Sequence, residues 1–189
     1  MRTSFYIAIL LLAASAAFAA KDSCFECHSV MEGKSIIFKD DVHYKYGLSC
    51  DYCHGGDRND DTDDSMRADR GFKVRVTRLG TPEYCGRCHS DAAFMHKYKK
   101  DQRVDQLSKY RDSVHGILLA GGEAKSAGCG DCHGVHDTRA VDDPRSRAHR
   151  SRLVETCGKC HAADSAGGKA ARAMSAGSRM DPHSLKPAP

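Results

Sequence analysis

Residues 129 to 136 read Cys129-Gly-Asp-Cys132-His133-Gly-Val-His136: two cysteines separated by two residues, a histidine beside the second, and another histidine three positions on. The first five residues have the CxxCH form that attaches a c-type haem. Two thiols add across the two vinyl groups of one porphyrin, and the adjacent histidine reaches the iron as its proximal ligand. The form recurs at Cys24-Phe-Glu-Cys27-His28, Cys50-Asp-Tyr-Cys53-His54, Cys85-Gly-Arg-Cys88-His89 and Cys157-Gly-Lys-Cys160-His161, which with the first accounts for all ten cysteines. Zinc would not require a histidine after every second cysteine. Disulfides would leave five histidines as coincidence, and a redox-active CxxC would occur once. The pattern predicts five covalently bound haem c groups with their iron, held by Cys24, Cys27, Cys50, Cys53, Cys85, Cys88, Cys129, Cys132, Cys157 and Cys160. His28, His54, His89, His133 and His161 are then the proximal ligands.

The rest of the composition agrees. Beyond the N-terminus large aliphatic residues are few, Gly, Asp, Lys and Arg are many, and tryptophan is absent. Such a chain buries too little of itself to offset the entropy of folding. Porphyrins would supply the interior. The expected fold is mostly α and irregular, a small haem-dominated cytochrome with little β structure. Arg2, the apolar run from Phe5 to Ala14 and the Ala17-Phe18-Ala19 site have the layout of a secretory signal peptide over residues 1–19. A retained anchor is the rival reading, but Phe5 to Ala20 falls short of the roughly 20 apolar residues a span needs. The expectation is a periplasmic or extracellular protein with no stable membrane span. The formal charge of +4 counts Arg2 and omits the haem propionates, which would bring the holoprotein near neutral or below. The basic runs at Lys97–Lys100 and Arg145–Arg152 read as propionate partners or as solvated faces, not as nucleic-acid contacts.

Six of the eleven histidines lie outside the attachment motifs: His43, His96, His115, His136, His149 and His183. Five irons take at most five distal ligands. His133 and His136, at i and i+3, project from similar sides of one turn, so His136 cannot reach the far face of its own neighbour's haem. It is expected to bind the iron of an adjacent one. His43, His96, His115, His136 and His149 are taken as distal ligands, and His183, in an Ala/Gly/Ser-rich tail, ranks last. Methionine, available at Met31, Met66, Met95, Met174 and Met180, is the competing ligand and would raise the potential. Bis-histidine ligation throughout would make a low-potential chain.

Val-His pairs at His43 and His115, each followed by CxxCHG, suggest a degenerate internal repeat over about 24–80 and 81–161, within a pentahaem domain at 20–161. Residues 162–189 read as a low-complexity tail, mobile or used for docking. The acidic stretch from Asp57 to Ser65 alternates oxygen ligands like a calcium loop but has Thr62 for the turn glycine and Ala68 for the closing glutamate, and reads as a solvated loop. Phe72–Val76 alternates like a short strand. Asp91–Arg111 reads as the one substantial helix, with Phe94, Tyr98, Val104, Leu107 and Tyr110 placed against haem.

The runs SVHGILLAGGEAKSAGCGDCHGVHDTR, TCGKCH and VHYKYGLSCDYCHGGD are similar to multihaem c-type cytochromes of the broad c3-type and NapC/NrfH-like grouping. The resemblance covers about residues 24–161. It implies that the Ser-Val-His-Gly and CHxxH histidines, here His115 and His136, are distal ligands. Quinol-oxidising NapC/NrfH-like members keep a membrane anchor, which the cleavable leader here does not match. The expected function is electron transfer through closely packed haems, in anaerobic respiration. Redox proteins would be the partners: an upstream quinol dehydrogenase or other cytochromes, and a downstream reductase or acceptor. No catalytic triad, carboxylate pair or phosphate loop is present. The alternatives are reduction of a small nitrogen or sulfur oxyanion at one open haem, and self-association into an extracellular cytochrome filament.

Overall fold

The computed structural model describes residues 22–30, 38–73 and 75–186; the expected signal peptide and Met31 lie outside them. Among the described residues ten short α-helices follow in order: α1 (Ser23–His28), α2 (Val42–Lys45), α3 (Cys50–His54), α4 (Thr81–His89), α5 (Ala92–Met95), α6 (Gln106–Arg111), α7 (Val114–Ala120), α8 (Cys129–His133), α9 (Leu153–Gly158) and α10 (Ala166–Ser175). No strand occurs among the described residues. The fold class expected from the residues is the one found.

Helices of four to ten residues do not hold themselves in water. Several are started by a side chain that accepts an orphan N–H, or by a residue suited to the first turn. Asp22 caps α1 at Phe25 N, Asp41 caps α2 at His43 N, Ser113 caps α7 at Gly116 N and Ser165 caps α10 at Gly168 N. Pro82 occupies the first turn of α4. Packing then joins α9 to α10, α6 to α7, and α4 to α6. Gly116 makes the second of these possible, since a Cβ there would stand 2.0 Å from the Tyr110 carbonyl oxygen.

The described apolar core is small: Phe25, Phe38, Leu119, Ala171 and Met174. Ile117, Leu118, Val135, Val141 and Val154 remain exposed. That imbalance is what a chain built around large apolar cofactors leaves when its own side chains alone are counted.

Three expectations change. Residues 72–73 and 75–77 form no strand, because this segment runs beside His54 instead of beside another strand: Lys73 N donates to His54 O (2.7 Å) and its carbonyl accepts from His54 Nδ1 (2.8 Å). The single helix expected over Asp91–Arg111 is broken into α5 and α6. His96 ends α5 and its ring turns to the Gln102 carbonyl, closing a loop over the lysine run. The tail is not a loose extension. α10 packs on α9 with Ala171 and Met174 buried, and Gly168 sits where a Cβ would strike Ala162 O at 2.2 Å. Small residues here serve close packing.

Candidate metal centres

In α1, α3, α4 and α8 the CxxCH histidine is the last residue of the helix. At the fifth motif α9 stops at Gly158 and a turn carries on, with His161 N donating to Cys157 O (2.9 Å). Gly55 and Gly134, which follow His54 and His133, have φ of +70° and +83° and turn the chain away at once. All ten cysteines are free of disulfides. No group of three or more His, Cys, Asp or Glu gathers as a metal cage among the described residues. The histidines instead come in twos.

Four motif histidines each face a histidine from a distant segment. His54 faces His136 with ring centres 6.0 Å apart, His89 faces His43 at 6.0 Å, His133 faces His183 at 5.9 Å and His161 faces His115 at 5.9 Å. The interplanar angles are 26°, 87°, 14° and 52° in the same order. Here the separation holds while the angle roams. That is the geometry of two ligands on one axis: an imidazole nitrogen binds a transition metal at about 2 Å, and its ring centre lies about 1 Å behind, so rings on opposite sides of one iron sit roughly 6 Å apart. The residues fit a haem iron at each of these four sites.

The hydrogen bonds set the tautomers. His43 Nδ1 donates to Asp41 Oδ1 (2.8 Å), His54 Nδ1 to the Lys73 carbonyl (2.8 Å) and His183 Nδ1 to Asp181 Oδ1 (3.1 Å). These oxygens only accept, so Nδ1 carries the proton and Nε2 keeps the lone pair a metal requires. His96 is the reverse. Its Nε2 donates to Gln102 O (3.1 Å), leaving only Nδ1, the nitrogen nearer the backbone. His149 Nδ1 accepts from Ser151 N (3.3 Å) and lies 2.7 Å from Ser151 Oγ, which puts its proton on Nε2. Neither His96 nor His149, both expected as ligands, belongs to the four pairs. His183, ranked last from sequence, does. The Asp-x-His spacing shared by Asp41/His43 and Asp181/His183 is the sequence signal that would have found it.

Burial and the facing rings hold His89, His115 and His133 below the usual histidine range. His133 is pushed down to about 4 by burial and then by His183 and His89. His89 and His115 are lowered by burial and then by His43 and His161. Asp41, fully buried, would be raised by burial alone, but the bonds from His43 and from Thr138 N (2.7 Å) hold it below the usual carboxylate range.

The attachment cysteines follow one another in space in sequence order. Cys24 is raised to about 11 by burial and then by Cys50, and Cys53 to about 11 by burial and then by Cys85. Cys85 is lowered to about 7 chiefly by a hydrogen bond from Cys129. Cys132 is raised to about 11 by burial and then by Cys157. Asp22 also links the first two sites, accepting from Ser49 Oγ. Each site is thus the neighbour of the next.

The arginine run and the acidic loop are paired within the chain. Arg145, Arg147 and Arg152 pair with Asp143, Asp137 and Glu155, and Arg150 reaches Ser175 O. In the acidic loop Asp60 pairs with Arg70 and Asp64 with Arg67, in keeping with a solvated loop.

The chain matches the family model described as Cytochrome c3 over residues 42–162. It belongs to the cytochrome c3 family, and is a multihaem c-type cytochrome: membership implies covalently bound haem c, electron transfer and redox protein partners. The match opens at Val42, beside His43, and takes in four of the five CxxCH motifs. No curated protein and no solved structure matches the chain. No described helix is long and apolar enough to cross a membrane.

Proposed function

We propose that this cytochrome c3-family chain is an exported pentahaem carrier of single electrons working in anaerobic respiration between other redox proteins. The four histidine pairs, constant in separation and variable in angle, carry the reading. On it, His54 and His136 hold the second haem, His89 and His43 the third, His133 and His183 the fourth, and His161 and His115 the fifth, with Cys24, Cys27 and His28 holding the first. Haem c, when bound, supplies the one-electron couple of its iron. The paired imidazoles would hold the group from two distant segments at once, so little of the chain would have to move. The sequential neighbouring of the attachment cysteines supports a conducting row.

The test is the haem count by mass spectrometry with low-temperature EPR of the oxidised protein. Five haems per chain, at least four of them low-spin, is the expected result. A count below five would overturn the pentahaem reading. A high-spin haem that shifts with nitrite or hydroxylamine would replace the carrier with a reductase. Export rests on the leader motif at residues 1–19, and N-terminal sequencing of the mature protein tests it: a chain still beginning at Met1 would overturn it.

A further inference from the structure

Asp41 is a carboxylate with no exposed surface, set two residues before His43. Its Oδ1 accepts from both His43 N and His43 Nδ1 at 2.8 Å. Its Oδ2 accepts from Thr138 N at 2.7 Å. Thr138 lies two residues after His136, and Val42 N returns a bond to Thr138 O (2.8 Å). One buried side chain therefore joins the segments that carry the facing histidines of two neighbouring sites. Asp181 makes the same bonds to His183 N (3.0 Å) and Nδ1 (3.1 Å), but it is a quarter exposed and shared with Lys109 and Arg103. The charge of Asp181 is already answered, whereas Asp41 faces only N–H donors.

We propose that Asp41 is a positioning residue that fixes the tautomer and rotation of His43 and lowers the potential of the third haem. This rests on the ligation reading above. A carboxylate on Nδ1–H gives the ring imidazolate character, so Nε2 donates more strongly and the oxidised iron is favoured. It also locks the His43 ring near perpendicular to His89, at 87°. Through Thr138 the same carboxylate holds the His136 turn in register.

The experiment is spectropotentiometric titration with EPR on holoprotein D41N, D41E and H43A. In D41N one haem should move about tenfold toward the reduced form, an upward shift of ~59 mV for one electron. One low-spin component should move with it, without any high-spin signal. D41E, which keeps the charge, should restore most of the shift. D41N with five haems and wild-type potentials and spectrum would overturn the proposal. H43A separates the two readings: one high-spin haem supports ligation whatever D41N does, and an unchanged low-spin spectrum removes ligation and this inference together. Should D41N not take up five haems, paramagnetic NMR of 15N-histidine wild-type protein serves instead. The His43 Nδ1 proton should outlast that of His183 in D2O; equally fast loss of both would overturn the assignment.

Discussion

His183→Ala is the sharpest test of the site, because reading the chain alone ranks this residue last. The structure sets the scale of the effect. His183 faces His133 alone at 5.9 Å, so its loss should change one haem of five, about 20% of the iron, from low-spin to high-spin. The covalent attachment at Cys129 and Cys132 is untouched, so the haem count should stay at five. The tail should also stay docked. Val114 N donates to Leu185 O (2.8 Å), Lys186 Nζ reaches Asp112 O (3.1 Å) and Asp181 pairs with Lys109 (3.4 Å), none of which uses the imidazole. A space of imidazole shape then remains opposite His133, and added imidazole should refill it and restore the low-spin spectrum. Spin quantitation by EPR, with and without imidazole, reads both steps. His96→Ala and His149→Ala are the controls, and both should leave sites two to five as they were. If His183→Ala stays low-spin at those four sites while either control turns one of them high-spin, the tautomer argument is wrong.

Gly116→Ala should destabilise the protein by at least the 1–3 kcal/mol typical of overpacking, about 3 being the better figure because the clash is with backbone, Tyr110 O at 2.0 Å. Chemical denaturation measures it, and the displaced α7 should add high-spin character at the site of His115. Leu119→Ala, removing a side chain only 1% exposed, should cost about 2–5 kcal/mol with the spectrum unchanged. Asp105 is lowered to about 2 by Arg103 and Lys109. A depressed carboxylate stabilises above its unfolded value near 3.8 and loses that contribution as pH falls through 2. Denaturation midpoints of Asp105→Asn and wild type should therefore differ slightly at pH 5 and converge near pH 2, the gap also closing in high salt. Chain made without haem attachment should lack cooperative unfolding by calorimetry.

The multihaem c-type character and the helical and irregular fold could be read from residues alone, because CxxCH is dictated by covalent chemistry, and the i, i+3 spacing that turns His136 away from the haem of His133 is local. His183 ranks last because the Ala/Gly/Ser composition around it looks the same whether the segment is loose or packed through its small residues, and the Asp-x-His spacing it shares with His43 does not enter that ranking. His96 and His149 fall outside the four pairs for a related reason. Whether Nε2 holds a proton depends on Gln102 O and Ser151 N, contacts made by loops that no periodicity announces. The break between α5 and α6 has the same origin. The repeat is also redrawn by the pairing: His43 lies 46 positions before His89, and His115 lies 46 before His161. On the proposed ligation each Val-His unit would serve the second CxxCH after it, not the first, and the equivalent stretches would be 42–89 and 114–161.

The way the pairs interleave accounts for a stable fold with so small a core. On the proposed ligation the four clasps close the intervals 43–89, 54–136, 115–161 and 133–183. Each begins inside the one before it and ends beyond it, and none is nested within another. A nested clasp could open alone and release only its own loop. An interleaved one cannot, because part of every interval is also closed by a neighbour. Loop-closure entropy rises only slowly with length, so His54–His136, the longest span, is little harder to close than the shorter ones once its neighbours are in place. Metal–ligand bonds can carry the folding free energy of a small domain outright, and here they would replace what Phe25, Phe38, Leu119, Ala171 and Met174 cannot supply. The arrangement that keeps the irons in a row is then also the one that makes unfolding cooperative from His43 to His183. Loss of one distal histidine should free one iron face while the overlapping clasps keep the chain closed around it.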